Sequence, residues 1–590
     1  MKNGPYGWTG KVLHFDLATG TCRTEHPDES VYRRFIGGKG LAGHYLRPRC
    51  TLDWNHPDMP FLLFAGPLGA TIAPTSGRAC MMSRSPLTGA VGDSSVGGKL
   101  GTELKRAGWD GIVITGHAAS LAGIEIRDDE ITLADASGLR HAETATVFDT
   151  LEAANGRKMS VACVGPAAEN GSPMAAVMTD RHHAAGRCGL GAVLAAKGVK
   201  YITIKGSGRV AVHDLDALKQ AREEIFRLTA ASPVLLGQNG FSCWGTGSIF
   251  DLMDSRRMMP TDNFSKTRFP DAPRLNAPAY KKRYSPKKHG CKGCHILCKK
   301  IAQDGRSMPE FETMSHFTAL IGNTDMDVVL EANDLLNRLG LDTISAGSTL
   351  ACLREISGRD FDRDSLLDAI SEMASGGSLG DGSFAVADCA GHPEASMSVK
   401  GLEMAAYDPR GAYGMALAYA VSTRGACHLR AYPVSHEILR KPVATDRFSF
   451  SGKARIVKIA EDVNAAVDSL TACKFIFFAA GLEEYAKAYT AVTGVASTGH
   501  DLQSAGERIY YNERIMNAQN GFTAEDDDLP ERFFTEEGTS GGGVEIRPLD
   551  RDEFLAARAA YYRVRGLDEN GLPTAETAAR LELVFQPETN

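Results

Sequence analysis

The 590-residue sequence lacks the features of a membrane-spanning, secreted or nucleic-acid-coating protein. Its most apolar stretch, residues 61–73, is broken by Gly66, Pro67 and Gly69, short of the roughly 18 apolar residues of a membrane span. The N-terminal segment has neither the basic start nor the apolar run of a secretory signal, so we expect a cytoplasmic protein. Acidic residues outnumber basic ones by 72 to 65, which disfavours a nucleic-acid partner but leaves room for a basic pocket.

The composition is that of an ordinary globular chain of several domains. Hydrophobic residues make up 43% and charged residues 23% of the sequence, which excludes extensive disorder. The length predicts roughly three to four domains. Over the first 205 residues, β-branched runs such as 111–115 and 200–204 alternate with glycine-rich turns and predict strands. Later periodicity favours helices, for example at 328–339 and 453–481, so the sequence predicts an α+β fold.

The thirteen cysteines do not predict a disulfide framework, because their number is odd and ten of them occur singly. The exception is Cys291-Lys-Gly-Cys294-His295-Ile-Leu-Cys298, with three thiols within eight residues. Zinc usually requires a second nearby pair, c-type haem requires an oxidising compartment, and a radical-SAM site has the reverse spacing. An iron–sulfur cluster with a distant fourth cysteine fits best, while spacing alone leaves zinc and haem open.

Short motifs follow one another along nearly the whole chain. In chain order they are Gly37-Gly38-Lys39-Gly40-Leu41, Gly66-Pro67-Leu68, Pro74-Thr-Ser-Gly-Arg78, Ser85-Pro86-Leu87-Thr88-Gly89, the glycine-rich run 186–191, Pro309-Glu-Phe-Glu312, Asn337-Arg-Leu-Gly-Leu-Asp342, Asp408-Pro-Arg-Gly411 and Arg424-Gly-Ala-Cys-His428. Each string alone is weak, but together, in this order and at this chain length, they are specific. The sequence resembles the tungsten- or molybdenum-dependent aldehyde:ferredoxin oxidoreductases.

The resemblance implies a three-domain organisation. A β-rich N-terminal domain, residues 1–208, would form the base for two molybdopterin-type pterins that carry tungsten or molybdenum. Two mainly α-helical domains, residues 209–400 and 401–590, would enclose this metal and a [4Fe–4S] cluster. The first helical domain would supply the three clustered cysteines and the second a fourth.

The fourth cluster ligand is implied to be Cys473, in addition to Cys291, Cys294 and Cys298. The family places this thiolate at the end of an Asp-x-x-Gly-Leu-Cys element, which corresponds to residues 468–473 here. Asp468 and Cys473 keep their spacing, whereas Thr471 and Ala472 replace the usual Gly and Leu.

The resemblance also implies the residues that hold the pterins. Arg78 would lie between pterin and cluster, where a permanently charged guanidinium donates to sulfur or phosphate. The backbone carbonyls of Ser95 and Ala185 would bind a Mg²⁺ that bridges the pterin phosphates, because magnesium favours oxygen ligands. The implied cofactor-binding residues are Arg78, Ser95, Ala185, Gly340, Leu341, Asp342, Asp468 and Ala472.

Oxidising an aldehyde to an acid requires a general base and a donor to the carbonyl oxygen. Within the matched motifs, Glu310 or Glu312 is the candidate base, and His428 is the candidate donor or proton relay. Carboxylates spaced by one residue point to opposite faces of an extended chain, so we expect one to face the metal and favour Glu312.

Electrons would leave singly through the cluster to ferredoxin or to an iron–sulfur partner subunit. A basic run could steer an acidic ferredoxin, although a merely solvated face explains it equally well; it comprises Lys281, Lys282, Arg283, Lys287, Lys288, Lys292, Lys299 and Lys300. Relatives are often dimers, which makes a homodimer an expectation. Two alternatives are the active-site subunit of an aryl-CoA reductase complex and an iron–sulfur relay without metallopterin.

Overall fold

The computed structural model describes residues 5–156 and 158–585. Residues 1–4, 157 and 586–590 lie outside these ranges. The first residues of the predicted domain 1–208 and the last residues of the predicted domain 401–590 are therefore not described. The same holds for the start of the N-terminal segment considered as a secretory signal. Among the described residues, no helix is both long and apolar enough to pass through a membrane.

The N-terminal part contains twelve strands and six α-helices. The strands are β1 (Val12–Asp16), β2 (Thr21–Glu25), β3 (Phe61–Phe64), β4 (Ala79–Arg84), β5 (Val91–Val96), β6 (Gly111–Thr115), β7 (Ala122–Arg127), β8 (Glu130–Asp135), β9 (Ser160–Val164), β10 (Val177–Thr179), β11 (His183–Ala185) and β12 (Val199–Lys205). The helices are α1 (Glu29–Phe35), α2 (Gly38–Leu46), α3 (Leu100–Arg106), α4 (Thr144–Asn155), α5 (Pro166–Glu169) and α6 (Leu190–Ala196).

The rest of the described chain is mainly helical. Its helices are α7 (Leu215–Ala230), α8 (Pro233–Leu236), α9 (Phe241–Trp244), α10 (Phe250–Ser255), α11 (Ala272–Leu275), α12 (Ala277–Tyr284), α13 (Phe311–His316), α14 (Met326–Leu339), α15 (Thr343–Ser357), α16 (Arg363–Ala374), α17 (Ser383–Cys389), α18 (Tyr413–Val421), α19 (Val434–Glu437), α20 (Lys453–Ser469), α21 (Leu482–Thr493), α22 (Gly499–Gln519), α23 (Arg532–Thr535), α24 (Arg551–Arg565) and α25 (Ala575–Arg580). Two short hairpins, β13 (Lys287–His289) with β14 (Lys299–Ile301) and β15 (Ser398–Val399) with β16 (Leu402–Glu403), interrupt them.

The N-terminal strands form two six-stranded mixed sheets. Their orders are β2-β1-β6-β3-β4-β5 and β11-β10-β9-β12-β7-β8. Strand β3 is buried on both faces because all four of its residues are Phe or Leu. The edge strands β5 and β11 contact each other, so the two sheets meet along one seam. This seam carries Ser95 and Ala185, whose carbonyls are predicted to bind the Mg²⁺ between the pterin phosphates.

The predicted α+β fold, with a β-rich first part and a helical remainder, is confirmed. Strands β6 and β12 and helix α14 lie where the sequence predicts them. The predicted helical run 453–481 is wrong in one place. Helix α20 ends at Ser469, and a separate 3₁₀-helix follows at Lys474–Phe478. The break leaves residues 470–473, the second part of the 468–473 element, as a short loop between the two helices.

Candidate active site

The three clustered cysteines lie on the loop that joins β13 to β14, and Cys473 lies just before the 3₁₀-helix at Lys474–Phe478. Burial raises the pKa of the Cys473 thiol to about 11, and nearby Cys294 and Cys291 add to the rise. The fourth predicted thiol therefore lies beside the other three. No three His, Cys, Asp or Glu side chains of the described ranges converge to hold a single metal ion. A cubane differs from a single ion, because each thiolate binds a different corner.

Glycines of the N-terminal part allow the cysteine loop to approach closely. A Cβ on Gly97 would lie 2.6 Å from Cys291 Sγ, and one on Gly77 would lie 3.2 Å from the Lys292 carbonyl. The Lys292 N–H donates to the Gly98 carbonyl at 3.0 Å. The glycine-rich segments around strands β4 and β5 thus approach the cluster loop closely.

We predict that Gly97→Ala lowers the iron content of the purified protein. The added methyl occupies the space of Cys291 Sγ and displaces one thiol of the four, so we expect well under the roughly four irons per chain of a filled cubane. Anaerobic iron analysis checks this. Gly138→Ala is the matched control, because a Cβ there meets no atom within 4 Å. Equal iron in both variants would contradict the close approach at Gly97.

Arg78 links the cysteines to the first sheet. Its Nε donates to the Ser95 hydroxyl at 2.8 Å and its Nη2 to the Ser95 carbonyl at 2.6 Å. Burial alone would lower the pKa of this guanidinium, but Cys473 and Cys291 raise it instead. Arg78 therefore lies between the thiols and the β5–β11 seam. The Ser95 carbonyl, which is predicted to bind Mg²⁺, accepts a hydrogen bond from Arg78 Nη2 in this structure.

The backbone of the 468–473 element suits the glycine that the resemblance implies at position 471. Thr471 has φ of +53°, a left-handed conformation that glycine adopts without strain. Here the threonine keeps this conformation and its hydroxyl accepts the Gly66 N–H at 3.0 Å. Asp468 pairs with Lys474 at 2.8 Å through Oδ2. Its buried Oδ1 has no hydrogen-bond partner in the described chain, which leaves an acceptor for a ligand.

The companion element, Gly340, Leu341 and Asp342, lies between α14 and α15. Gly340 ends α14 with φ of +77°, and Asp342 caps α15 by accepting the Ile344 N–H. Asp342 also pairs with the buried Arg187 at 3.2 Å. The element therefore reaches the glycine-rich turn that follows Ala185 on strand β11.

Buried cations and carboxylates surround this region. Lys39 contacts Glu513 at 2.6 Å and Asp93 at 3.6 Å, and Arg430 forms ion pairs with both of these carboxylates. Burial acts to raise the pKa of Asp93, but Arg430 and Lys39 hold it well below its usual range. Arg424 donates to the Asp93 carbonyl, and its buried Nε has no partner in the described chain. Such an unpartnered guanidinium nitrogen suits an anionic ligand.

The two predicted glutamates have different environments. Glu310 forms an ion pair with Lys299 at 2.8 Å, which lowers its pKa. Glu312 accepts the Ala406 N–H through Oε2 at 2.8 Å, and its Oε1 lies 3.5 Å from His428 Nε2. The structure therefore brings Glu312 and His428 together and places Glu310 beside the cluster loop.

Burial controls the ionisation of the Glu312–His428 pair. It raises the pKa of Glu312 to about 8. It lowers the pKa of His428 well below its usual value, and Arg187 and Arg424 act in the same direction. At neutral pH the pair is therefore a carboxylic acid beside a neutral imidazole. His428 Nδ1 and Glu312 Oε1 are buried without a hydrogen-bond partner among the described residues.

Several side chains of this region keep accessible surface. The accessible fraction is 46% for Glu310, 17% for Glu312, 21% for Lys299 and 19% for Lys474. An opening beside the cluster loop is lined by Cys298 and Glu310, among others. Lys474, next to Cys473, donates to the carbonyl of Leu429, next to His428, at 2.8 Å. The predicted base, the cysteines and the elements predicted to bind the pterins therefore border one region.

Sequence reasoning missed several residues of this region. Tyr407 lies against the His428 ring, with centroids 5.5 Å apart, and its hydroxyl is 3.2 Å from that of Tyr432. Cys427 Sγ accepts from Arg424 at 2.9 Å, and although burial opposes ionisation, Arg424 and Arg430 lower the pKa of Cys427 to about 7. The Arg424-to-His428 motif already contained Cys427 and was the available signal. No sequence pattern marked the tyrosines.

Comparison with known proteins assigns the chain to a class defined by this fold and site. The family model for the N-terminal domain of aldehyde ferredoxin oxidoreductase matches residues 12–206, and the model for its domains 2 and 3 matches residues 220–583. Together they cover most of the sequence. The chain belongs to the aldehyde ferredoxin oxidoreductase family.

Individual relatives agree with this assignment. The chain is 34% identical to a tungsten-containing aldehyde ferredoxin oxidoreductase of Pyrococcus furiosus, over 96% of this chain and 97% of the relative. It is also 34% identical to the protein of that name from Thermococcus kodakarensis, over 98% and 99%. A solved active-site complex of benzoyl-coenzyme A reductase with a dienoyl-CoA aligns at a TM-score of 0.84 and 20% identity, covering 98% of each chain. At that identity the likeness concerns the fold.

Proposed function

We propose that this protein oxidises aldehydes to carboxylic acids on a tungsten–pterin centre and passes the electrons through a [4Fe–4S] cluster to ferredoxin or an iron–sulfur partner. The observation that carries the proposal is the Glu312–His428 pair, 3.5 Å apart. It borders the same region as the four cysteines. Family membership supports the same chemistry, because both relatives described above are named as tungsten-containing enzymes of this activity.

The residues present fit the proposed cofactors. Cys291, Cys294, Cys298 and Cys473 would bind the cluster, and the unpartnered Asp468 Oδ1 and Arg424 Nε would meet polar groups of the pterins. The other residues that we propose at the pterins are Arg78, Gly340, Leu341, Asp342 and Ala472. The Ser95 and Ala185 carbonyls, on the touching strands β5 and β11, would bind Mg²⁺ with the pterin phosphates. When bound, the metallopterin accepts the two electrons removed from the aldehyde.

The net reaction, RCHO + H₂O → RCOOH + 2H⁺ + 2e⁻, requires the protein to manage protons. In its carboxylate form, Glu312 accepts a proton from the water that supplies the new oxygen. The Ala406 N–H holds Oε2, so Oε1 is the atom that takes this proton. Protonated Oε1 then faces His428 Nε2 across 3.5 Å.

His428 contributes a donor to the carbonyl oxygen. With Nε2 facing the Glu312 acid, the single proton of the neutral ring sits on Nδ1. This Nδ1–H has no partner among the described residues and is free to polarise the aldehyde. Glu310, paired with Lys299 beside Cys298, is better placed to balance charge at the cluster than to move protons at the substrate.

Elemental analysis and a viologen assay test the proposal together. Anaerobically purified protein should contain tungsten and roughly four irons per chain, and should reduce a viologen dye when an aldehyde is added. Iron without tungsten or molybdenum would instead indicate a relay protein. Activity confined to an aryl-CoA, in a larger complex, would indicate the reductase alternative.

The electron exit is proposed at the basic surface around the cluster loop. Residues 272–303 contain nine Lys or Arg and no Asp or Glu, in a chain of net charge −7. Lys292 and Gly293 are exposed between Cys291 and Cys294, so the cluster would lie directly beneath this surface. Two members of the predicted basic run, Lys299 and Lys300, do not contribute to this exposed surface. Lys299 pairs with Glu310, and Lys300 is buried and donates to backbone carbonyls.

We predict that the double variant Lys282→Glu/Lys287→Glu reduces ferredoxin about tenfold more slowly at low ionic strength, because charge steering depends on this exposed surface. Viologen reduction should not change, since a small dye needs no steering of this kind. The control is Lys205→Glu, an exposed residue at the end of β12. Ferredoxin kinetics equal to those of the control would place the electron exit elsewhere.

A further inference from the structure

A row of aromatic rings begins at the catalytic pair and leads away from it. Tyr407 lies 5.5 Å from the His428 ring and 5.5 Å from Tyr432, and Tyr432 lies 6.0 Å from Phe478. On the other side of Tyr407, Phe311 of helix α13 lies 5.4 Å away, one residue before Glu312. The row therefore connects the helix that carries the base with the 3₁₀-helix that follows Cys473.

The middle of this row lies next to the catalytic pair and keeps accessible surface, since the Tyr432 ring is 6.3 Å from the ring of His428. Tyr432 is surrounded by protein, and burial raises the pKa of its hydroxyl to about 12, yet its side chain is only half-buried. Phe478 is half-buried as well, whereas Tyr407 is 2% exposed. The Tyr407 and Tyr432 hydroxyls lie 3.2 Å apart and satisfy each other. A substrate beside this row would therefore contact the aromatic rings rather than the hydroxyls.

This surface discriminates among aldehydes by shape and by π-electron distribution. A flat aryl group meets Tyr432 and Phe478 edge-to-face or offset, and each such pair adds about a two- to tenfold preference beyond the burial of area. The binding of an alkyl chain is favoured only by burial of its apolar surface. A leucine in place of Tyr432 or Phe478 would bury that surface equally well. The ratio between aryl and alkyl substrates therefore measures the contribution of the rings.

We infer that Tyr432 and Phe478 form the specificity wall of the substrate pocket and select aryl aldehydes, held with the carbonyl toward Glu312 and His428. This inference rests on the proposed aldehyde oxidation. It assigns the substrate class and the residues that determine it.

The test compares kcat/KM for benzaldehyde and butyraldehyde in the tungsten-loaded protein. The wild type should favour benzaldehyde at least tenfold, and Tyr432→Leu should reduce that ratio by about two- to tenfold. Tyr432→Phe keeps the ring and should keep the ratio, even if loss of the hydroxyl pair changes kcat. Tyr413→Leu is the matched control, because this half-buried tyrosine packs on Phe450 at 4.9 Å and lies outside the row.

A binding measurement separates this inference from the proposed reaction. Calorimetry of the holoenzyme with benzoate and butyrate, which resemble the products, needs no turnover. Tighter benzoate binding that weakens in Tyr432→Leu and Phe478→Leu supports the wall. Equal preference for both acids, or the same preference in Tyr432→Leu as in wild type, overturns it. Failure to oxidise any aldehyde while benzoate preference persists would refute the reaction and leave the wall standing.

Discussion

Glu312→Gln is expected to lower kcat by roughly 10²- to 10⁴-fold, the range of a lost general base. Glutamine keeps the shape of the side chain and can still accept the Ala406 N–H, but it cannot take a proton from water. Tungsten, iron and the aldehyde KM should remain near wild type, because Glu312 is not placed at the cluster or among the pterin-binding elements. Steady-state kinetics with metal analysis of the same samples checks this.

The pH dependence of the wild type gives the same residue a second test. Burial raises the pKa of Glu312 to about 8, and the base is active only as a carboxylate. The rate should therefore rise with pH through about 8 and level off above it. In Glu312→Gln the residual rate should lose this rise. The exposed Glu483→Gln serves as control and should keep the wild-type profile. A profile unchanged by Glu312→Gln would assign the rise to another group.

Cys473→Ser is expected to have the largest effect on cofactor content. A serine hydroxyl is a poor ligand for iron compared with a thiolate, so the cubane should lose one corner. We expect the broad visible absorption of the cluster to fade, iron to fall well below roughly four per chain, and aldehyde-dependent viologen reduction to be lost. Visible spectra and iron assays on anaerobic samples measure this.

Cys389→Ser is the matched control for the cluster ligand. Cys389 is exposed at the end of α17, so its replacement should change neither spectrum nor iron content. If Cys473→Ser also kept both, Cys473 would not be a ligand, and another residue near the 291–298 loop would have to close the site.

Much of the fold was predictable because its signals are local. The β6 strand and the α14–α15 junction follow from apolar periodicity, from Gly340 and from the Asp342 cap. The interruption at residues 468–473 was not predictable in this way. Thr471 adopts a left-handed conformation that its residue type disfavours, and the compensating hydrogen bond comes from Gly66, about 400 positions away in sequence.

The site was predictable where chemistry requires a rare residue type at fixed spacing, as for Cys291, Cys294 and Cys298. The cooperation of Glu312 with His428 required motif context, since lone titratable residues are common. The buried ion pairs around Asp93 and the Tyr407–Tyr432 pair were not recognised, because their partners lie far apart in sequence. Packing of this kind is decided in three dimensions, by groups that carry no local pattern.

The separation of Cys473 from the other three thiols bears on how the protein is made. Chains emerge from the ribosome N-terminus first, at about 5–20 residues per second. The 291–298 loop is therefore available well before residue 473, and the glycine-rich sheets earlier still. A nascent chain holds three thiols without the fourth for roughly ten seconds or longer. All four thiols are present only after residue 473 has been synthesised, so we expect the complete cluster to be inserted late in synthesis or after it.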